Sequence, residues 1–216
     1  MYRRFSRKIN FRVRINPKWI LLLLILFVFV VLAIPLVAYL TVSSVYMQRI
    51  FAVKDVPEVR VGIIMGGSDD ESDPNLLQDR ITTAGELYKN GKIQKLLINN
   101  SGSRSIDSIE GQSIKAGIRQ FDLKIEKDVA AIYDACFIAR NKYTIDKAII
   151  ITQERYALPA LYACNSIGID SYGVIADRQL YINNPGLLAN FGQVFSIFWN
   201  IYVQEPDLAD TQKVSL

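Results

Sequence analysis

Three short stretches of this chain set small residues beside hydrogen-bonding ones where an apolar run stops: Gly66-Gly67-Ser68, Asn100-Ser101-Gly102-Ser103 and Thr152-Gln153. Glycine lets a ligand approach the backbone, and Ser, Thr and Gln offer donors. A helix that starts after such a loop aims free N–H groups at an anion. The same residue types make turns in any α/β protein, so the loops alone leave a binding and a purely structural reading open. Arg80 follows the first loop at helical range. A guanidinium placed there clamps an anionic ligand or pairs with Asp79 or another loop carboxylate.

Other chemistry is excluded or weak. The chain has no histidine, which removes Ser-His-Asp triads, Cys-His pairs and most zinc sites. Asp69, Glu71 and Asp73 mimic the first three ligands of a calcium loop, but Pro74 stands at the glycine position and Arg80 at the terminal carboxylate position. That pattern reads first as a solvated acidic loop, with weak divalent-cation binding outside the cell as the alternative. Gly66-Gly67 runs on into Ser68-Asp69-Asp70-Glu71 without a dinucleotide fingerprint.

The elements that must position these residues alternate between two periods. Val59–Met65, Lys95–Asn100, Lys147–Thr152 and Ser171–Ile175 are short apolar runs that read as buried strands. Leu76–Asn90, Glu110–Arg119, Ala130–Asn141 and Tyr156–Ile167 read as helices, with Gly91 and Gly168 as stops. Strand–helix alternation predicts a Rossmann-like α/β domain, a parallel sheet flanked by helices, whose ligands bind beyond the strands' C-terminal ends. Leu187–Val203 also reads as a helix, either packed on the sheet or lying on a membrane surface with Phe195, Phe198 and Trp199 dipping in.

Trp19 to Leu40 contains no charged side chain, and Arg3, Arg4, Arg7, Lys8, Arg12, Arg14 and Lys18 precede it without an acidic neighbour. Such a run is long enough to cross a bilayer core of roughly 30 Å. Its basic flank predicts a cytoplasmic N-terminus and an uncleaved signal-anchor. The expected organisation is therefore a cytoplasmic basic segment at 1–18, a transmembrane helix at 19–40, a juxtamembrane spacer at 41–58, one α/β domain at 59–205 and a polar tail at 206–216. The whole-chain charge of +4 divides into +7 over the first 18 residues and −3 over the rest, so the basic cluster serves topology and anionic lipid, and no nucleic-acid partner is expected. An extracytoplasmic location permits a disulfide between Cys136 and Cys164, but two cysteines on apolar helical faces read first as buried thiols.

The stretch MGGSDDESDPNLLQDRITTAGELYKNGKIQKLLINNSG resembles the opening of the SanA/YdcF (ElyC/SanA/YdcF) family, with Gly66, Gly67, Pro74, Arg80, Leu87, Tyr88, Gly91, Ser101 and Gly102 at the shared positions. IIITQERYALPALYACNSIGID resembles the family's segment around Thr152 and Gln153, and Asp128 and Asp134 fit its preceding Asp-bearing segment. Order and spacing carry the likeness; no single motif is specific. Tyr156 and Pro159 stand where the family usually has a His and then an Arg. A tyrosine hydroxyl with an ordinary pKa near 10 is a poor base at neutral pH.

The resemblance implies a bacterial inner-membrane protein facing outward, acting in envelope barrier maintenance or in peptidoglycan or surface-polysaccharide metabolism. Its candidate pocket comprises Gly66, Gly67, Ser68, Arg80, Ser101, Gly102, Asp128, Thr152, Gln153 and Tyr156. Three readings follow. One is a ligand-binding domain with a catalytically degenerate pocket. Another is an enzyme on an envelope glycan or lipid-linked precursor that uses Asp128, Arg80 and Ser101. The last is a nucleotide-type binder, which suits an extracytoplasmic domain poorly.

Overall fold

Runs such as Ala148–Ile151 have no polar face, so a strand built from them must be covered on both sides. The structure, a computed structural model, describes residues 17–66, 74–100, 104–129 and 131–178, together with Gly192. It places six strands in one all-parallel sheet: β1 (Ile50–Phe51), β2 (Val61–Ile64), β3 (Lys95–Asn99), β4 (Leu123–Glu126), β5 (Lys147–Thr152) and β6 (Asp170–Ile175). The order across the sheet is β1-β6-β5-β2-β3-β4. The chain thus builds outward from β2 to β4, crosses back and builds the other way from β5, so the strand order reverses between β2 and β5.

Period-two alternation divides the core into two layers. Val61, Ile63, Leu97, Ala148 and Ile150 face α4 (Ile132–Asn141) and α5 (Glu154–Ser166). Ile64, Leu96, Ile98, Ile149 and Ile151 face the other way, against α2 (Pro74–Lys89) and α3 (Ile106–Lys115). The expected Rossmann-like architecture is therefore present.

Several boundaries differ for local reasons. α3 begins at Ile106, ahead of the expected Glu110, because the Ser105 side chain accepts the Ser108 N–H and caps the helix there. β4 was not expected: its sequence LKIE is half-buried at the sheet edge and too short to show a pattern. The expected spacer carries the two-residue strand β1, which pairs with Gly173 and Val174 of β6. Gly91 and Gly168 end α2 and α5 at φ of 71° and 92°, backbone that a glycine adopts freely.

Cys136 and Cys164 do not remain thiols. They are joined in a disulfide between α4 and α5, with Cα atoms 4.9 Å apart. Both are fully buried in the core layer between the two helices and the sheet.

α1 spans Pro17–Tyr46, about 45 Å at 1.5 Å per residue. Every side chain from Ile20 to Val31 is exposed. Counted over the residues whose side chains are described, no helix is long and apolar enough to cross a membrane. The charge-free run of the sequence also passes through positions 19, 32, 35 and 38, which fall outside that count. Residues up to Val37 and those from Ala38 onward form separate compact units. The acidic loop at 69–73 and the helix expected at Leu187–Val203 lie outside the described residues.

Candidate functional site

At the reversal between β2 and β5 the backbone of β2 continues through Met65 and Gly66, both buried. A Cβ on Gly66 would stand 2.3 Å from the Asn99 carbonyl oxygen and 3.2 Å from that of Val129. Glycine is therefore required by the close approach of β3's end and of the loop after β4. That loop turns at Asp128, a non-glycine residue at φ 58°, and returns so that the Val129 N–H donates to the Asn100 carbonyl.

Arg80 lies on α2, beneath this point, and is only 1% exposed. Its Nε donates to Gln153 Oε1 at 2.5 Å, and its NH1 donates to the Met65 carbonyl. Gln153 in turn donates through Nε2 to the Leu76 carbonyl at 3.0 Å. The guanidinium thus ties the ends of β2 and β5 to the start of α2. A buried cation so fixed acts through its field and not by reaching out to solvent.

Two hydrogen-bonding atoms near it have no partner among the described residues. They are Asn99 Oδ1 and Thr152 Oγ1, on residues each 1% exposed. Asn99 ends β3 and Thr152 ends β5, the two strands that flank β2. Ile64 pairs with Ile98 on one side and Ile151 on the other, so both residues stand level with Met65. By alternation from Leu97 and Ile150, both side chains belong to the α4/α5 face. An orphaned buried polar group costs about 1–3 kcal/mol, which a ligand's hydrogen bond removes.

The first turns of α4 and α5 overhang this face. The N-cap of α4, Ala131, supplies no side-chain acceptor for the helix's first N–H groups. Asp134 sits in that first turn, and burial pushes its carboxyl above the usual range. Burial also raises the neighbouring Tyr133 hydroxyl, with the Asp134 charge adding to the effect. At the start of α5 the Glu154 N–H donates to Asp177 Oδ2 at 2.8 Å. Burial of its inner side raises the Asp177 carboxyl, against that hydrogen bond and the positive fields of Arg155 and Arg80.

Of the residues expected at the site, the structure brings together Gly66, Arg80, Thr152 and Gln153. Tyr156 lies within the first turn of α5, its N–H donating to the Gln153 carbonyl and the Arg155 guanidinium 4.7 Å from its ring centre. Asp128 is exposed in the loop after β4, whose next residue, Val129, brings its carbonyl against Gly66. Gly67, Ser68, Ser101 and Gly102 lie outside the described residues. Sequence reading missed Asn99 as a site residue, although its position one residue before the second loop was a usable signal. It also missed Asp177, which follows the last strand by two residues. Among the described residues no cluster of His, Cys, Asp and Glu could hold a metal ion. No known protein family, curated protein or solved structure matches this chain.

Proposed function

We propose that this chain is a single-pass inner-membrane protein whose α/β domain, SanA/YdcF-like, lies outside the cytoplasm and binds an anionic envelope glycan or lipid-linked precursor at the β2/β5 reversal. The role served is envelope barrier maintenance or the metabolism of peptidoglycan or surface polysaccharide. The observation that carries the binding half is the pair of orphaned polar atoms, Asn99 Oδ1 and Thr152 Oγ1, set level with Met65 beside the buried Arg80. The Thr152 hydroxyl can donate to an anionic oxygen, Asn99 Oδ1 can accept from a ligand hydroxyl, and the buried Arg80 charge and the uncapped start of α4 favour negative charge, a set that suits a hydroxyl-bearing anion such as a phosphorylated sugar or a uronate.

The location rests on sequence. The uncharged run 19–40 and its seven basic predecessors favour an anchor with its N-terminus inside. The Cys136–Cys164 disulfide supports an oxidising compartment for the domain.

A second reading keeps the site and adds catalysis. Its support is Asp134, whose burial-raised carboxyl would hold or release a proton nearer neutral pH than an ordinary aspartate. In that reading Asp134 takes the role first given to Asp128.

The test is the full-length protein purified in detergent, with co-purified small molecules identified by mass spectrometry and then titrated back. A phosphate- or uronate-bearing glycan or lipid carrier is the expected ligand. Thr152→Val should weaken its binding about ten-fold or more, since a lost hydrogen bond to a charged group is worth about 1.5–3 kcal/mol. An unchanged affinity in Thr152→Val would contradict the site.

A further inference from the structure

All six strands are parallel, so all start on one edge of the sheet, and that edge lies opposite the candidate site. At one corner of this edge the chain enters β1 at Ile50, ten residues after Leu40, where the uncharged run ends. At the far corner stands the single turn Gln120–Asp122 that leads into β4. Its Phe121 is 94% exposed, an apolar ring almost wholly in solvent.

The turn that presents this ring is held on both sides. Arg119 Nε donates to Tyr88 Oη and to Asp122 Oδ2, each at 2.8 Å, and the Tyr88 hydroxyl donates to Asp122 Oδ2 at 2.6 Å. These bonds draw the Asp122 carboxyl below the usual range, Tyr88 first and Arg119 after it. Ile114, in the last turn of α3, is a second exposed apolar side chain at this corner.

Cations surround the corner. Lys89 closes α2, Lys95 opens β3, Lys115 closes α3, and Lys92 and Arg119 lie in the intervening loops. Arg119 and Asp122 answer each other, which leaves four lysines against Glu58, one loop further on, and Glu86, one turn back on α2 and itself paired with Arg178. A projecting aromatic ring ringed by basic side chains suits the headgroup region of an anionic bilayer.

We infer that the strand-start edge of the domain lies against the membrane surface, with Phe121 and its surrounding lysines forming a second contact with anionic lipid. This rests on the anchor reading. Five inter-strand intervals separate β1 from β4, so the two contacts stand about 24 Å apart along one edge. Residues 41–46 are helical, a rise of about 9 Å, and the turn Met47–Arg49 leads straight into β1, so no slack chain separates the end of the uncharged run from this edge. Two contacts on one edge stop the domain from rolling about the first. The site on the opposite edge is then held facing away from the bilayer, toward the space where glycan lies.

Both native cysteines are bonded to each other, so an introduced cysteine is the single free thiol. The full chain is placed in vesicles of phosphatidylethanolamine and phosphatidylglycerol with an environment-sensitive dye at Gln120→Cys, beside an intact Phe121, or at Ser44→Cys or Glu154→Cys. Lipids spin-labelled near the headgroup should quench the dye at 44 and at 120 and leave that at 154 bright. Lys89→Glu with Lys115→Glu should weaken quenching at 120 by about five-fold in bound-to-free ratio for each lysine at low salt. Quenching at 44 without quenching at 120 would overturn the second contact while the anchor stands. Equal quenching at 120 and 154 would overturn the orientation. Absence of quenching at 44 would remove the anchor and this inference with it.

Discussion

Arg80 and Gln153 meet across 2.5 Å at the one place where the sheet reverses its strand order, 73 residues apart in sequence. The amide oxygen of Gln153 accepts from a buried guanidinium while its nitrogen caps the Leu76 carbonyl. Gln153→Ala strands a charged donor and a carbonyl at once. We expect a loss of about 2–4 kcal/mol in urea unfolding, since each abandoned buried group costs about 1–3 kcal/mol. Gln153→Glu keeps an acceptor for Arg80, and the added negative charge should repel an anionic ligand. A Gln153→Ala protein as stable as the parent would show that the bond carries no structural weight.

Thr152 makes the opposite prediction about stability. Its hydroxyl is buried and has no partner among the described residues, so Thr152→Val should raise the unliganded protein's stability by about 1 kcal/mol. Thermal unfolding without ligand reads this directly. A destabilised Thr152→Val protein would mean the hydroxyl is satisfied after all.

Two glycine substitutions separate close packing from helix propensity. In Gly66→Ala the new methyl meets the Asn99 carbonyl, and overpacking of this kind costs about 1–3 kcal/mol. In Gly111→Ala nothing lies within 4 Å and the residue is inside α3, so a gain of about 0.5–1 kcal/mol is expected. Chemical denaturation midpoints of the two variants should move in opposite directions.

The disulfide closes a loop of 28 residues between α4 and α5. The chain-entropy estimate for such a loop is about 3.5 kcal/mol. Cys136→Ala with Cys164→Ala should lower stability by roughly that amount, and the parent protein should react with thiol reagents only after reduction. Rapid thiol labelling of unreduced protein would contradict the bond.

Asp170 gives a pH dependence of known sign. Its hydrogen bond and ion pair with Arg49, 2.6 Å away, hold the carboxyl below the ordinary range, with Lys147 adding to the effect. A folded-state pKa below the unfolded one stabilises the protein above about pH 4, and that stability is lost as pH falls through the folded value. Unfolding midpoints measured from about pH 6 down to about pH 3 should fall less steeply in Asp170→Asn than in the parent.

The sheet was legible where strands are buried on both faces. Lys147–Thr152 matched to the residue because three successive isoleucines suit no other element. β4 escaped because an edge strand with Lys124 exposed and its neighbours half-buried shows too little apolar pattern. At the site, Gly66, Arg80, Thr152 and Gln153 could be gathered because small and polar residues at strand ends converge in any parallel sheet. That Gln153 binds Arg80 and not a ligand could not be read, since it depends on two helices meeting across a strand reversal. The disulfide was hidden for the same reason: a spacing of 28 residues does not reveal which faces of α4 and α5 oppose each other.

Which side of the membrane the α/β domain occupies decides whether its site can meet an envelope ligand at all. Protease added to intact spheroplasts that express the full chain measures this directly. Digestion of the domain, with a cytoplasmic marker left whole, is the predicted result. A domain that survives until the cells are lysed would contradict the assignment.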